Sequence, residues 1–330
     1  MKKILFAALL AASLSVSAQQ TAQQTTQITN RYSMKLSKNP DGSYSLINEA
    51  RYAKLVDLSK IEGLLEPYTY ERERLQTNDY KGVEVREIVY RTHDGYELQM
   101  AVDMAVSEQP TPVVIYCHGG GWARGNNSAM RTLSQYMAKQ KGVTGVRIAY
   151  TLAPQPGATV EVSIDDVLGA VEYLRKHAAE LNIDPSRIGF VGNSAGAHLA
   201  AVGAMRTPEA KAFVGYSGIY DLETAAICQR SKDPQRIGYF CDRDPKVLHA
   251  ASPVNLVPKK NAPAALLFCG TADITVECSQ SKAFAEALSK RGAKVDLEVL
   301  ENYDHNLSAK ASDKMEEVFF RTVDFLAEHL

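Results

Sequence analysis

From residue 83 onward the chain alternates short apolar, β-branched runs with longer stretches of helical period. Residues 83–91 and 96–104 alternate apolar and polar positions around the turn His93-Asp94-Gly95, which predicts two antiparallel strands. Further strands are predicted at 113–117, 143–149, 188–192, 212–216, 264–268 and 295–300, and helices at 128–139, 164–180, 195–205, 279–290 and 312–329. Strands that are apolar throughout and separated by helices pair in parallel through crossovers. The pattern therefore predicts an α/β fold with a mostly parallel sheet of about eight strands, flanked by helices. Residues 220–262 break the rhythm: they are rich in proline and charge and read as a lid-like insert before the sheet resumes.

The first 82 residues follow a different pattern. Lys2 and Lys3, the apolar run 4–12 and the small-residue site Val16-Ser17-Ala18 read as a cleavable signal peptide over 1–18, too short an apolar run for stable membrane insertion. A secreted or periplasmic protein is the expectation, without a lipid anchor, because no cysteine follows the cleavage site. Residues 19–27 are Gln/Thr-rich and read as a disordered leader. Residues 28–80 carry mixed signals, with charged stretches predicted as helical near 48–65 and 70–75. The expected organisation is a signal peptide (1–18), a leader and N-terminal extension (19–82) and one α/β domain (83–330).

Composition narrows the partners. Without Lys2 and Lys3 the chain has 35 basic against 38 acidic side chains, a net charge of about −3. No Lys/Arg block is dense enough to track phosphates, so nucleic acid is not expected as a partner. An exported chain permits disulfides among its five cysteines. Cys228 with Cys241 and Cys269 with Cys278 are the pairings closest in sequence, Cys117 sits inside an apolar strand, and five unpaired thiols are the alternative. No spacing suits a structural metal, and no metal site is expected.

The candidate chemistry lies where predicted strands end. Gly192-Asn193-Ser194-Ala195-Gly196 follows an apolar strand and opens an Ala-rich helix, the strand–turn–helix context of a nucleophile elbow, with Ser194 lifted above the sheet. His118-Gly119-Gly120-Gly121-Trp122 follows an earlier strand. The N–H groups of Gly120 and Gly121, with that of Ala195, are candidates for an oxyanion hole, and Trp122 is expected to shape the substrate pocket. A base and an acid must follow downstream. Asp273, after the strand ending at Phe268, and His305, after the strand ending near Leu300, meet that order, with Asp221 as the competing acid. His198, one turn after the serine, is expected to be structural, and His118 to brace its own loop. His93, His177, His249 and His329 sit on turns or helix faces. Asp304 adjoins His305 and is expected to point elsewhere. No Walker A loop or dinucleotide-binding glycine pattern is present.

Taken in order, His118 to Trp122, Ala149-Tyr150-Thr151-Leu152-Ala153-Pro154, the elbow, Ser217 to Asp221 and Gly270 to Asp273 resemble the α/β-hydrolase carboxylesterases related to hormone-sensitive lipase. The similarity is greatest to their bacterial acetyl- and feruloyl-esterase-like branch, associated with plant polysaccharide breakdown, and covers roughly residues 85–328. It implies the α/β-hydrolase fold and ester hydrolysis through an acyl-enzyme on Ser194, with no metal or organic cofactor and a small-molecule or carbohydrate ester as substrate. Asn193 stands where relatives often carry Asp, and Thr151 where Arg is usual. A serine exopeptidase of the same fold, or a binding protein without catalysis, are the competing functions.

Overall fold

The computed structural model describes strands at 34–38, 44–48 and 52–56, and residues 75–307 and 312–330. The expected signal peptide, the leader and most of both helical stretches predicted between 48 and 75 lie outside the described residues. Two units are distinguished, residues 1–69 with 308–312, and 70–307 with 313–330. In the first, β1 (Met34–Lys38), β2 (Tyr44–Asn48) and β3 (Tyr52–Val56) pair antiparallel in sequence order. The β3 strand corrects the helix predicted near 48–65. Its sequence Tyr-Ala-Lys-Leu-Val also fits a two-residue period, and pairing with β2 decides between the two readings.

The second unit holds an eight-stranded sheet, as the pattern predicted. Its strands are β4 (Val85–His93), β5 (Tyr96–Asp103), β6 (Thr111–Cys117), β7 (Thr144–Ile148), β8 (Ile183–Asn193), β9 (Ala210–Tyr216), β10 (Ala264–Gly270) and β11 (Val295–Leu300). Their spatial order is β11-β10-β9-β8-β6-β7-β5-β4. The β4–β5 and β5–β7 pairings are antiparallel and every other pairing in this sheet is parallel, so β5 alone runs against the rest. The helices are α1 (Arg131–Lys141), α2 (Val160–Lys176), α3 (Ala195–Arg206), α4 (Ala226–Gln229), α5 (Pro234–Tyr239), α6 (Pro245–Ala251), α7 (Cys278–Ser289) and α8 (Ser312–His329). This is the α/β-hydrolase fold.

Strand β6 shows why both faces of the sheet are covered. Its apolar run points Val113, Ile115 and Cys117 into one core with residues of α2, α3 and α7, and Val114 and Tyr116 into another with residues of α1 and α8. The strand period of two thus feeds two cores from one uninterrupted apolar sequence. The insert is part of the first core. Tyr239, Phe240, Leu248 and Ala251 are buried there, and Asp233 and Asp244 cap α5 and α6 by accepting from the backbone N–H groups of Gln235 and Lys246.

Strand order reverses between β6 and β8, so the loops leaving their carboxyl ends diverge and open a crevice. The glycine loop leaves β6 and the elbow leaves β8. Away from this crevice, among the described residues, one ion pair is buried on both sides. Arg147 on β7 donates from Nε to Asp103 Oδ2 (2.7 Å) and from Nη2 to Oδ1 (3.0 Å), while Ser134 of α1 also donates to Asp103. Removing one partner strands the other charge in the interior. Asp103→Ala is therefore expected to cost about 3–5 kcal/mol of stability. Urea unfolding followed by circular dichroism measures this, and an unchanged midpoint would contradict it.

Candidate active site

Ser194 joins β8 to α3 with φ 54° and ψ −124°, a conformation that non-glycine residues rarely occupy. Holding it costs on the order of 1–3 kcal/mol, which the surroundings must supply. Two contacts hold it. Its backbone N–H donates to Tyr216 O at the end of β9 (2.8 Å), and His198 N–H of α3 donates back to Ser194 O (3.2 Å). The turn is so tight that a Cβ on Gly196 would stand 2.1 Å from Cys117 O and 2.4 Å from His118 O. Only glycine lets α3 start this close to the end of β6. Small residues continue along the helix, and every residue from Ala195 to Met205 is buried.

The two downstream residues arrive on loops stitched together. Thr271 N–H donates to Leu300 O, Ala272 N–H to Tyr303 O, and Asn302 N–H to Thr271 Oγ1 (2.8 Å). These bonds fasten the loop after β10 to the loop after β11. Within that pair of loops, His305 Nδ1–H donates to Asp273 Oδ2 (2.7 Å), and Ser194 Oγ–H donates to His305 Nε2 (2.8 Å). The other Asp273 oxygen accepts from Thr275 N–H (2.8 Å) and Val276 N–H (2.9 Å), so the carboxylate cannot rotate freely. These partners assign the proton to Nδ1 of His305 and leave Nε2 as the acceptor. Ser194 and Asp273 are buried, at 7% and 6% exposure, leaving the serine a narrow opening.

Asp221 does not reach this relay. Its oxygens accept from Glu223 N–H and Thr224 Oγ–H within its own turn. Asp304 is buried and accepts from Asn306 N–H (2.9 Å). A disulfide joins Cys269, next to last in β10, to Cys278, first in α7, enclosing Asp273. Cys228 and Cys241 are unpaired, as is Cys117, whose thiol is pushed up by burial.

The glycine loop lies against the elbow. Gly119 N–H donates to Asn193 Oδ1 (2.8 Å), a contact in which the departure at Asn193 takes a direct part. Gly120 and Gly121 have φ of +126° and +63°. The N–H groups of Gly120, Gly121 and Ala195 make no backbone hydrogen bond with other described residues. His118 turns its ring back on the loop, Nδ1–H donating to Gly119 O (2.8 Å), and stacks on Tyr150 with ring centroids 4.2 Å apart. Tyr150 in turn donates from its hydroxyl to His118 O (2.7 Å). Tyr150 belongs to the segment 149–154 that carries the family resemblance, which assigned it no role; its place just after strand β7 makes it a support of the glycine loop.

Trp122 corrects an expectation. It is fully buried, donates from Nε1 to His198 Nδ1 (3.2 Å) and packs edge-on to Phe240 at 5.0 Å between centroids. A ring with no accessible surface lines no open pocket; it ties the glycine loop to the insert. His198 is structural: its Nε2–H donates to Ala251 O (2.8 Å), and burial lowers its pKa to about 4. Among the remaining histidines, His93 bonds the buried Asp166, His177 bonds Glu180, His249 bonds Glu223, and His329 packs edge-on to Phe325. Asp166 also accepts from Thr151 N–H (2.8 Å) and pairs with Arg91 of β4. Among the described residues no group of three or more His, Cys, Asp and Glu is placed to hold a metal ion, and no helix is long and apolar enough to cross a membrane.

The BD-FAE family profile matches residues 102–288. Esterase LipQ of Mycobacterium tuberculosis is 31% identical over 234 residues, covering 65% of this chain and 55% of LipQ, so the chain spans about half the length of that relative. Ethyl acetate hydrolase of Pseudomonas putida is 27% identical over 281 residues, covering 74% of this chain and 83% of its own. Among solved structures, the butyrate-bound esterase Est2 of Thermogutta terrifontis superposes with a TM-score of 0.64 at 25% identity, covering 77% of this chain and 97% of that one.

Two measurements follow from the site. Opening the Cys269–Cys278 bridge, by dithiothreitol or as Cys278→Ser, is expected to loosen Asp273 and lower kcat on a simple ester by about tenfold or more, since an ångström of misplacement is costly at a reacting centre. Unchanged kcat after verified reduction would show that the loop holds itself. His198, neutral when folded, contributes stability that is complete above pH 6.5 and is lost as the pH falls through about 4. Between those limits the unfolded state binds the extra proton, so wild-type stability should fall more steeply with acid than that of His198→Asn. Equal slopes in urea midpoint against pH would refute the assignment.

Proposed function

The chain belongs to the BD-FAE family, and from that premise we propose that it is a serine carboxylesterase acting through an acyl-enzyme on Ser194. The observation that carries this reading is the continuous relay from Ser194 Oγ through His305 to Asp273, at 2.8 and 2.7 Å. In the first half-reaction Ser194 Oγ attacks the ester carbonyl while His305 Nε2 takes its proton. The charge that develops on imidazolium is held by Asp273, and the charge on oxygen by the N–H groups of Gly120, Gly121 and Ala195. His305 then returns the proton to the departing alcohol. In the second half-reaction water enters by the same route and frees the acid.

Short acyl esters are the proposed substrates, with hydroxycinnamoyl esters and plant polysaccharide as the carrier the extension suggested by the sequence resemblance. Relatives named as esterase and ethyl acetate hydrolase, and a butyrate-bound neighbour, support a small acyl group. The same names favour ester over peptide cleavage. Export to a secreted or periplasmic location is proposed from the N-terminal pattern of residues 1–18.

Ser194→Ala is expected to lower turnover of p-nitrophenyl acetate and butyrate by about a thousandfold or more, and to abolish labelling by a fluorophosphonate probe. Asp273→Asn should retain labelling at a reduced rate, since it disturbs the imidazole tautomer and leaves the nucleophile in place. Retained turnover in Ser194→Ala would end this mechanism, and faster cleavage of peptide p-nitroanilides than of esters would favour an exopeptidase.

A further inference from the structure

The insert delivers one cation to the glycine loop. Arg236 lies on α5, and its Nη2 stands 3.0 Å from the point that a Cβ on Gly121 would occupy. Gly121 in turn belongs to the loop fastened to the elbow through Gly119 and Asn193. The guanidinium is therefore a near neighbour of the proposed oxyanion site.

Its bonding is incomplete. Arg236 is half-buried, its Nε is buried without any hydrogen-bond partner, and among the described residues it joins no ion pair. Asp233, three residues earlier, is committed to capping α5. Arg124, whose carbonyl lies against Gly120, is exposed and also lacks an ion pair among the described residues. A half-buried cation with an unsatisfied donor is costly to maintain unless an anion visits it.

The presentation is rigid. Tyr239 and Phe240, three and four residues after Arg236, are 1% exposed, and both pack on Trp122. The Tyr239 hydroxyl donates to Ser163 Oγ (2.7 Å). These contacts anchor the helix that carries Arg236, and a guanidinium fork matches a carboxylate better than any neutral group.

We propose that Arg236 is a specificity-determining residue, and that the preferred esters carry a carboxylate close to the scissile bond. The inference rests on the esterase reading above and deepens it. The carboxylate can belong to the acyl part or to the alcohol part, and the two sources are separable.

The acyl arm compares p-nitrophenyl hemisuccinate with p-nitrophenyl butyrate; the alcohol arm compares 4-acetoxybenzoate with phenyl acetate. The readout is the ratio of kcat/KM, anionic over neutral, in the full-length wild type, Arg236→Met and Arg236→Lys. That ratio does not depend on the fraction of correctly folded enzyme. Loss of a charge-assisted contact should lower it by about tenfold or more in Arg236→Met on one arm, with Arg236→Lys intermediate. A second measurement needs no variant: methylating the free carboxylate of the hemisuccinate, or of the acetoxybenzoate, should lower wild-type kcat/KM on the same arm. Ratios unchanged by substitution on both arms, with no effect of methylation, would overturn the inference while leaving the esterase reading intact. Absence of turnover on all four esters would overturn both.

Discussion

Ser194 occupies a backbone conformation that it would not choose, and much of the surrounding sequence can be understood as what makes this tolerable. The bond from Ser194 N–H to Tyr216 O requires β9 to lie beside β8 in register. The start of α3 must pass within contact distance of the carbonyls ending β6, which admits glycine alone at 196. A helix brought so near the sheet favours small side chains, and alanine or glycine fills seven of the ten positions in the run Ala-Gly-Ala-His-Leu-Ala-Ala-Val-Gly-Ala. One strained residue thus dictates composition over a dozen positions.

A second layer of support is polar and lies behind the reacting groups. His118, Tyr150, Trp122 and His198 link the glycine loop to the helix after the elbow and to the end of α6. Each bond uses up a donor or acceptor that burial would otherwise leave unsatisfied. The two imidazoles in this layer are pushed towards neutrality by burial. A ring that stays neutral changes neither charge nor bonding when the proposed base, His305, takes up its proton, so the scaffold does not answer to the chemistry in front of it.

The sheet was readable because its central strands are buried on both faces and appear as unbroken apolar runs. Strands from 113 to 300 and the helices α1, α2, α3 and α7 fell within about five residues of their predicted limits, whereas the short helices of the insert, α4 to α6, had no periodicity long enough to predict them. The β3 strand was missed because Tyr52–Val56 is short and its charge pattern also suits a helix. At the site, Ser194 and the glycine loop announce themselves by local composition, whereas Asp273 and Asp221 are equivalent in sequence, each following a strand. Only the folded loops separate them, one bonded to His305 and the other closed on its own turn. Trp122 was misjudged for a related reason: an aromatic beside a glycine loop can face the crevice or the core, and the insert's Phe240 settles it. Arg236 carried no signal, because its meaning depends on Gly121, more than a hundred positions away.

The Cys269–Cys278 bridge has a consequence for how the molecule fails. Because one cysteine stands near the end of β10, next to the edge of the sheet, and the other begins a helix, the residues between them form a covalent ring around Asp273. A protease that cut within the ring would open a peptide bond without dividing the chain. Both new ends would stay moored to packed elements, and the nicked molecule would travel as one species until reduced. The segment that carries the acid is in this sense protected against loss, although not against cleavage.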